Sequence, residues 1–252
     1  MSASKVNITH STTYKQKYAW LKFRWFIYLL SFVHLVTMAI RFLIEKDFEN
    51  SEDVTIRVYA KFKWKLITTW FNLLFFVYIP VCLYCDWREL KGNVTKHLKT
   101  VKRLRDFMFT SLVLPTTAFA DILFWRLWHH DKDLIAPPAV DSMIHLWEHH
   151  CMHTISLLFV IFDFLFVRRK RPKNMAPGII TLTCFISLYI AVCVQSVLNE
   201  EYLYPVFKKF SYTKLSVLAI YTYISVLFYH TGQWVLVDLI HGQTVTQKKR
   251  VY

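Results

Sequence analysis

Glycine is scarce in this chain, which has 4 glycines among its 252 residues. Loops that cradle phosphate groups need several glycines at fixed spacing, and no glycine-rich fingerprint of either nucleotide-binding type occurs. Chemistry driven by ATP or by a nicotinamide cofactor is therefore not supported, and we predict that the protein uses no cofactor. The five cysteines lie inside apolar stretches, so the sequence gives no sign of an extracellular disulfide framework.

Acidic residues are also few, with 17 Asp and Glu against 31 Lys and Arg, and the net charge is +14. A nucleic-acid binder could have a similar charge, but here 55% of the residues are hydrophobic. Six apolar stretches are each long enough to cross about 30 Å of hydrocarbon. We therefore predict an all-α polytopic membrane protein, a bundle of six transmembrane helices, with no nucleic-acid partner. The predicted spans cover residues 25–43, 66–85, 107–128, 143–167, 178–198 and 215–240.

The predicted bundle is one domain over residues 1–252, with a short polar segment at about 1–24 and a short basic tail at about 241–252. Lys and Arg are frequent near the spans in the N-terminal segment, 88–105, 168–173 and 248–250, and less frequent in 45–63, 129–142 and 199–213. By the positive-inside rule we expect both termini in the cytoplasm. The host membrane is expected to be an endomembrane, such as the endoplasmic reticulum, or the plasma membrane.

Several polar residues lie inside the predicted spans. His145, His149, His150 and His153 fall in the fourth span, and ionisable side chains at bilayer depth usually mark a site. His34 and His230 are lone polar groups, which we expect to hydrogen-bond between helices. Pro115 lies inside the third span, where the lost backbone hydrogen bond permits a kink.

Three of these spans place polar groups at a comparable depth. Thr69 lies about one turn into the second span, His153 two to three turns into the fourth, and Asp121 at a similar level on the third. A histidine can take the proton of a threonine hydroxyl, which then forms an acyl-threonine that activated water hydrolyses. Asp121 is a hypothetical orienter of His153. On spacing alone, a hydroxyl bonded to a carbonyl one turn back is the favoured role for Thr69.

Two motifs resemble those of the androgen-induced protein family. The run 65–74, followed by Asp86, is similar to the second-span motif of that family, and 150–154 is similar to its fourth-span motif. Between and beyond them, 105–107, Pro115, 124–125, Asp131, Pro137 and 204–205 fit the order and spacing of the family. The resemblance covers the chain from the second span through the last.

The resemblance implies a multi-pass membrane hydrolase that cleaves fatty acid esters of hydroxy fatty acids with a threonine nucleophile and a histidine. The nucleophile then falls on Thr69, because Asn72 and Asp86 keep their offsets from it, and the histidine falls on His153. Thr68 is the competing nucleophile. We expect the lipid ester to enter from the bilayer, with membrane lipids as the other partners, and aromatic side chains to line part of an acyl pocket.

Two other interpretations remain open. His145, His149 and His150 have the spacing of a histidine box of membrane di-iron oxidoreductases. Those enzymes need several boxes, and only one is found here, so we expect no metal site. A non-enzymatic transporter or regulatory membrane protein is the other alternative, and its polar residues would line a path across the membrane.

Overall fold

The computed structural model describes the backbone of residues 2–241 and the side chains of residues 16–240. Over this range the chain is helical and has no strand, as predicted. The helices are α1 (Ser2–Ile40), α2 (Val54–Lys61), α3 (Ile67–Leu90), α4 (Lys96–Met108), α5 (Leu114–Asp131), α6 (Leu146–His149), α7 (Ile155–Phe166), α8 (Ala176–Leu198), α9 (Pro205–Lys209) and α10 (Tyr212–His241). Three π-helical turns follow α1, α4 and α6, at Arg41–Glu45, Phe109–Val113 and His150–Thr154. The predicted basic tail, apart from residue 241, lies outside the described residues.

Six helical segments are long and apolar enough to cross a membrane, which confirms the predicted number. They are Gln16–Glu45, Ile67–Leu90, Lys96–Leu134, Leu146–Phe166, Ala176–Leu198 and Tyr212–Ile240, called here the first to sixth spans. The third span is the most buried of the six and lies at the centre of the bundle. Its helix α5 packs against α7 and α10, while α1 packs against α3.

The connections are shorter or more ordered than the hydropathy pattern predicts. In the predicted loop 88–105, α3 continues to Leu90 and α4 begins at Lys96, where the Thr95 hydroxyl accepts a hydrogen bond from a backbone N–H. The loop 45–63 contains α2, and its N-cap Asp53 accepts a hydrogen bond from the Thr55 N–H at 2.7 Å. Hydropathy marks where a helix leaves the hydrocarbon, whereas side-chain caps decide where it begins.

The π-helical turn at Phe109–Val113 is explained by the proline that follows it. The Leu114 N–H donates to the Phe109 carbonyl, five residues back, and Pro115 has no N–H to continue this pattern. The Thr110 carbonyl therefore takes its donors from α10, where His230 Nδ1 lies at 2.9 Å and Gln233 Nε2 at 2.7 Å. The expected hydrogen bond of His230 between helices is thus confirmed.

The end of the bundle where α3 meets α4 and α7 meets α8 is called the basic end. Arg24 on the first span forms two hydrogen bonds to Asp86 on the second, at 2.5 and 2.6 Å, and both side chains are largely buried. Close by, Asp163 on the fourth span accepts hydrogen bonds from Tyr28 and Tyr78, both at 2.8 Å. These contacts join the first, second and fourth spans at this end.

Arg169 completes this cluster from the loop after α7. Its guanidinium pairs with Asp163, donates to the Tyr78 hydroxyl at 2.9 Å and lies 3.7 Å from the centre of the Phe109 ring. Burial lowers the pKa of Arg169, but the Asp163 and Asp106 carboxylates and the Tyr78 hydroxyl together raise it by more, so the net shift is upward. The guanidinium therefore stays charged, and its charge is compensated inside the protein.

Candidate active site

A cavity of about 720 Å³ lies toward the end of the bundle opposite the basic end. Aliphatic and aromatic side chains form most of its wall. Several residues that line it are also exposed on the outside of the bundle, among them Leu73 at 49%, Val194 at 51% and Leu198 at 70%. The cavity thus extends to the lateral surface, which in a membrane faces lipid.

Thr69, Thr68 and His153 all line this cavity, although they come from two different spans. His153 lies seven residues after Leu146, which corresponds to a depth of about 10 Å along the helix. The sequence prediction that the threonine and the histidine share one level of the bundle is consistent with this arrangement.

His153 is held by a buried carboxylate. Its Nδ1 lies 2.9 Å from Oδ1 of Asp121, and the two residues are 3% and 0% exposed. Ser156 donates to the other oxygen of Asp121 at 2.6 Å, and the Phe124 ring stacks on the imidazole with 3.7 Å between ring centres. The hypothesised position of Asp121 beside His153 is confirmed. With Nδ1 occupied, Nε2 is the ring nitrogen left for chemistry.

The π-helical turn His150–Thr154 separates the histidines of the fourth span. His149 and His153 are buried, while His145 and His150 are exposed, so the four do not share the face that α-helical spacing predicts. The imidazole of His150 instead stacks on Trp125 at 4.5 Å, and its Nδ1 lies 3.0 Å from the Thr154 hydroxyl. Among the described residues, no three His, Cys, Asp or Glu side chains are placed to hold a metal ion, so the histidine-box interpretation lacks a ligand set.

Thr69 lies in the first turn of α3, and a backbone carbonyl in the segment before this helix fixes its side chain. Its hydroxyl donates to the backbone carbonyl of Lys63, between α2 and α3. Within the described part of the chain, no hydrogen bond joins Thr69 or Thr68 to His153. Thr68 offers its carbonyl to the Asn72 amide at 2.8 Å. The choice of nucleophile therefore stays a prediction.

Tyr204 fixes the start of α3. Leu66, the N-cap residue, has no side-chain acceptor, and the Tyr204 hydroxyl accepts the hydrogen bond from the Ile67 N–H at 3.1 Å. The hydroxyl of Tyr189 lies 3.0 Å from that of Tyr204. Burial raises the pKa of Tyr204 well above its usual value, so the phenol stays neutral. Tyr204 thereby positions the turn that carries Thr68 and Thr69.

Sequence reasoning missed three residues of this site: Ser156, Phe124 and the supporting Tyr204. Ser156 follows His153 by three residues and Phe124 follows Asp121 by three, so helical spacing was an available signal for both. Tyr204 belongs to a pair that the family resemblance includes, but its contact with α3 comes from a distant part of the chain.

The fold and the site together define a polytopic membrane protein with a buried carboxylate and imidazole pair beside an apolar cavity that reaches the lipid-facing surface. A family model described as FAR-17a/AIG1-like protein matches residues 23–236. The chain therefore belongs to this family, which confirms the resemblance read from the two motifs.

Individual proteins with related names are also similar to this chain in sequence. The androgen-dependent TFPI-regulating protein of Mesocricetus auratus is 26% identical over 190 residues, which cover 75% of this chain and 77% of that one. The same protein of Mus musculus is 31% identical over 117 residues, and this match spans 46% of the chain and 50% of the mouse protein. The androgen-induced gene 1 protein of Homo sapiens is 28% identical over 149 residues, 56% of this chain and 62% of that protein. No solved structure matches the chain.

Proposed function

We propose that this protein hydrolyses lipid esters, of the class of fatty acid esters of hydroxy fatty acids, with Thr69 as nucleophile and His153 as general base. The observation that supports this most is the hydrogen bond of 2.9 Å between His153 Nδ1 and the buried Asp121, on the wall of a cavity that Thr69 also lines. The resemblance to the androgen-induced family supplies the substrate class.

In the first half of the reaction, Nε2 of His153 takes the proton of the Thr69 hydroxyl while the hydroxyl oxygen attacks the ester carbonyl carbon. The tetrahedral intermediate then breaks its bond to the alkoxy oxygen. The imidazolium returns the proton to that oxygen, and the hydroxy fatty acid leaves as an alcohol. For the attack, the Thr69 hydroxyl must release the Lys63 carbonyl, which a rotation about its χ1 bond achieves.

In the second half, water replaces the alcohol. His153 takes a proton from a water molecule, whose oxygen attacks the acyl-threonine carbonyl, and the bond to the Thr69 oxygen breaks. Thr69 recovers its proton from the imidazolium, and the fatty acid is released. Asp121 serves both halves as a positioning residue, since it fixes the tautomer in which Nδ1 carries the hydrogen and stabilises the imidazolium when it forms.

The cavity suits a substrate with two long chains. Its apolar wall reaches the lateral surface at Leu73, Val194 and Leu198, so an ester dissolved in the bilayer can enter sideways. At about 720 Å³ it lies within the range of about 300–1,000 Å³ common for ligand sites. The polar ends of the substrate would then lie near the chain segments that close this end of the bundle.

We also propose that the basic end faces the cytoplasm, with both termini on that side, and that the host membrane is the endoplasmic reticulum or the plasma membrane. Lys and Arg concentrate in the loop after α7 and around the junction of α3 and α4, as the positive-inside rule requires. In this orientation the cavity opens toward the leaflet away from the cytoplasm.

The decisive experiment is ester turnover by purified full-length protein compared across Thr69→Ala, Thr68→Ala and His153→Ala. We expect Thr69→Ala and His153→Ala each to lower the rate by about 10²-fold or more, because each removes a partner in proton transfer. Thr68→Ala should retain most of the rate. His150→Ala is the matched control, since this histidine is on the same turn but exposed outside the cavity.

Two results would contradict the assignment. Loss of turnover in Thr68→Ala together with full turnover in Thr69→Ala would move the nucleophile by one residue. Full turnover in all of the variants would remove threonine and histidine from the chemistry. Intact-mass detection of an acylated protein that is absent from Thr69→Ala would support the covalent intermediate independently of the rates.

A further inference from the structure

A second cavity lies at the basic end and shares no lining residue with the first. Its volume is about 640 Å³, and it is formed by the junction of α4 with the π-helical turn Phe109–Val113, the loop after α7, the start of α8, and α10. The proposed hydrolysis uses none of its residues.

The wall of this cavity is strongly cationic. Its charged residues are Arg103, Arg168, Arg169, Lys170 and Asp106. The one carboxylate, Asp106, already accepts hydrogen bonds from Arg105, the shorter at 2.8 Å. Arg103, Arg168 and Lys170 are exposed, and they form no ion pair with any other residue whose side chain is described. The positive charge at the rim therefore has no carboxylate partner among the described side chains.

Two buried donor atoms on the same wall lack a hydrogen bond within the described part of the chain. Trp234 is 3% exposed, and its indole N–H has no hydrogen-bond acceptor among the described residues. Arg169 is 4% exposed, and its Nε forms no hydrogen bond with a described residue, although Oδ1 of Asp106 lies 3.4 Å away as an ion-pair partner. An indole nitrogen and a guanidinium can only donate, so the missing partner is an acceptor. Buried polar groups without a partner are rare in folded proteins.

The first turn of α8 lies against the same space. Pro177 and Gly178 line the cavity, and a Cβ atom at Gly178 would lie 2.9 Å from both His230 Cε1 and the Ser111 hydroxyl. A larger residue here would force the His230 ring or the Ser111 side chain to move, so glycine suits this close approach of the helix start to α10. The positive end of the helix dipole adds to the field of the three rim cations, and this field favours an anion.

We propose that this cavity binds the phosphate group of an anionic phospholipid. A phosphate offers several acceptor oxygens to the donors that lack hydrogen bonds, and its negative charge compensates the positive charge of the rim. A lipid is the favoured source because the cavity lies where the third, fourth and fifth spans meet the membrane surface, the position at which basic pockets take lipid headgroups. Phe107, on the cavity wall and 38% exposed, is placed to contact the acyl chains.

The test measures phosphatidic acid, phosphatidylcholine and glycerol 3-phosphate binding to full-length protein in detergent micelles, by native mass spectrometry. We expect one phosphatidic acid to bind at least about ten-fold more tightly than either other ligand. Arg168→Gln with Lys170→Gln should weaken it by about ten-fold or more, because both side chains line the cavity. Arg171→Gln with Lys173→Gln is the matched control, with the same charge loss in the same loop but outside the lining.

A subtler variant tests the buried donor. Trp234→Phe removes the indole N–H, retains an aromatic ring and should weaken phosphatidic acid binding by about five-fold. Equal weakening by the two pairs of loop variants would mean a diffuse attraction to basic charge and would overturn the proposal. Glycerol 3-phosphate binding as tight as that of phosphatidic acid would replace the lipid by a soluble phosphate ester, and no preference for phosphatidic acid over phosphatidylcholine would remove the site.

Discussion

At the scale of single residues, the surroundings of His153 fix its orientation, as the proposed role of general base requires. Asp121, Ser156 and Phe124 hold the ring from three directions, and the ring is 3% exposed. A lone buried imidazole would be free to choose either tautomer. Here one carboxylate oxygen meets Nδ1 and the other is held by Ser156, so the orientation of the ring is fixed before substrate arrives.

Asp121→Asn tests this dependence. The amide is similar in shape to the carboxylate but can present an N–H to Nδ1, which reverses the tautomer and removes the negative charge that stabilises the imidazolium. We expect kcat for ester hydrolysis to fall by about 10²-fold or more with KM nearly unchanged. Ser156→Ala, which leaves the carboxylate in place, should lower kcat by less. A normal kcat in Asp121→Asn would remove the carboxylate from the mechanism.

The sequence predicted a common depth for the candidate site residues, but it did not predict their contacts. Thr69, His153 and Asp121 were placed at one level because the span ends were readable and the rise per residue of a helix is constant. Which way a side chain faces depends on rotation about the helix axis. Regular α-helical spacing predicts His150 close to the face of His149 and His153. The π-helical turn His150–Thr154 changes that rotation, and His150 is exposed instead.

At the scale of elements, the third span shows how one proline rearranges its neighbours. A kink at Pro115 was predictable, because proline lacks the N–H that a helix needs. That the Thr110 carbonyl would be taken up by His230 and Gln233 was not, because those donors come from α10, more than a hundred residues away. Local patterns predict the broken bond, and only the packed structure gives its replacement.

A double-mutant cycle measures this replacement. Gln233→Leu removes one donor to the Thr110 carbonyl and should lower the free energy of unfolding by about 0.5–1.5 kcal/mol. In a Pro115→Ala background the same change should cost less, because the new backbone N–H can donate to that carbonyl. We expect a coupling of at least about 0.5 kcal/mol, measured by denaturant unfolding in detergent. Equal losses in both backgrounds would show that the two sites are independent.

At the scale of the whole molecule, the orientation in the membrane can be tested by cysteine accessibility. In a variant without the native cysteines, Asn174→Cys lies at the basic end and Ser51→Cys at the other. When only the plasma membrane is opened, we expect an impermeant maleimide to reach Asn174→Cys from the cytosol. Ser51→Cys should react only from the opposite face, in intact cells or after organelle membranes are dissolved. The reverse pattern would overturn the orientation.

The number of spans and the all-α fold followed from the sequence, because long apolar runs with few charges have one stable solution in a bilayer. The two cavities did not follow, since each is formed by residues from at least three separate helices. The basic loop at 168–173 illustrates the difference. The charge of this loop predicted the orientation of the protein in the membrane. The sequence did not indicate that Arg169 turns inward to Asp163 while its neighbours stay exposed.

The ion pairs at the basic end have a mechanical consequence. Arg24 with Asp86 fastens the first span to the second, and the hydrogen bond of Tyr78 to Asp163 fastens the second to the fourth, so separation there would expose unpaired charges to hydrocarbon. At the far end the first and fourth spans are also joined by charge, because the buried Glu148 forms an ion pair with Arg41 at 2.6 Å. Separating the spans at either end would therefore leave a charge unpaired in hydrocarbon, so both ends of the bundle resist opening. Under the proposed function, a lipid would then exchange with the bilayer sideways between the spans, and neither end of the bundle would have to open.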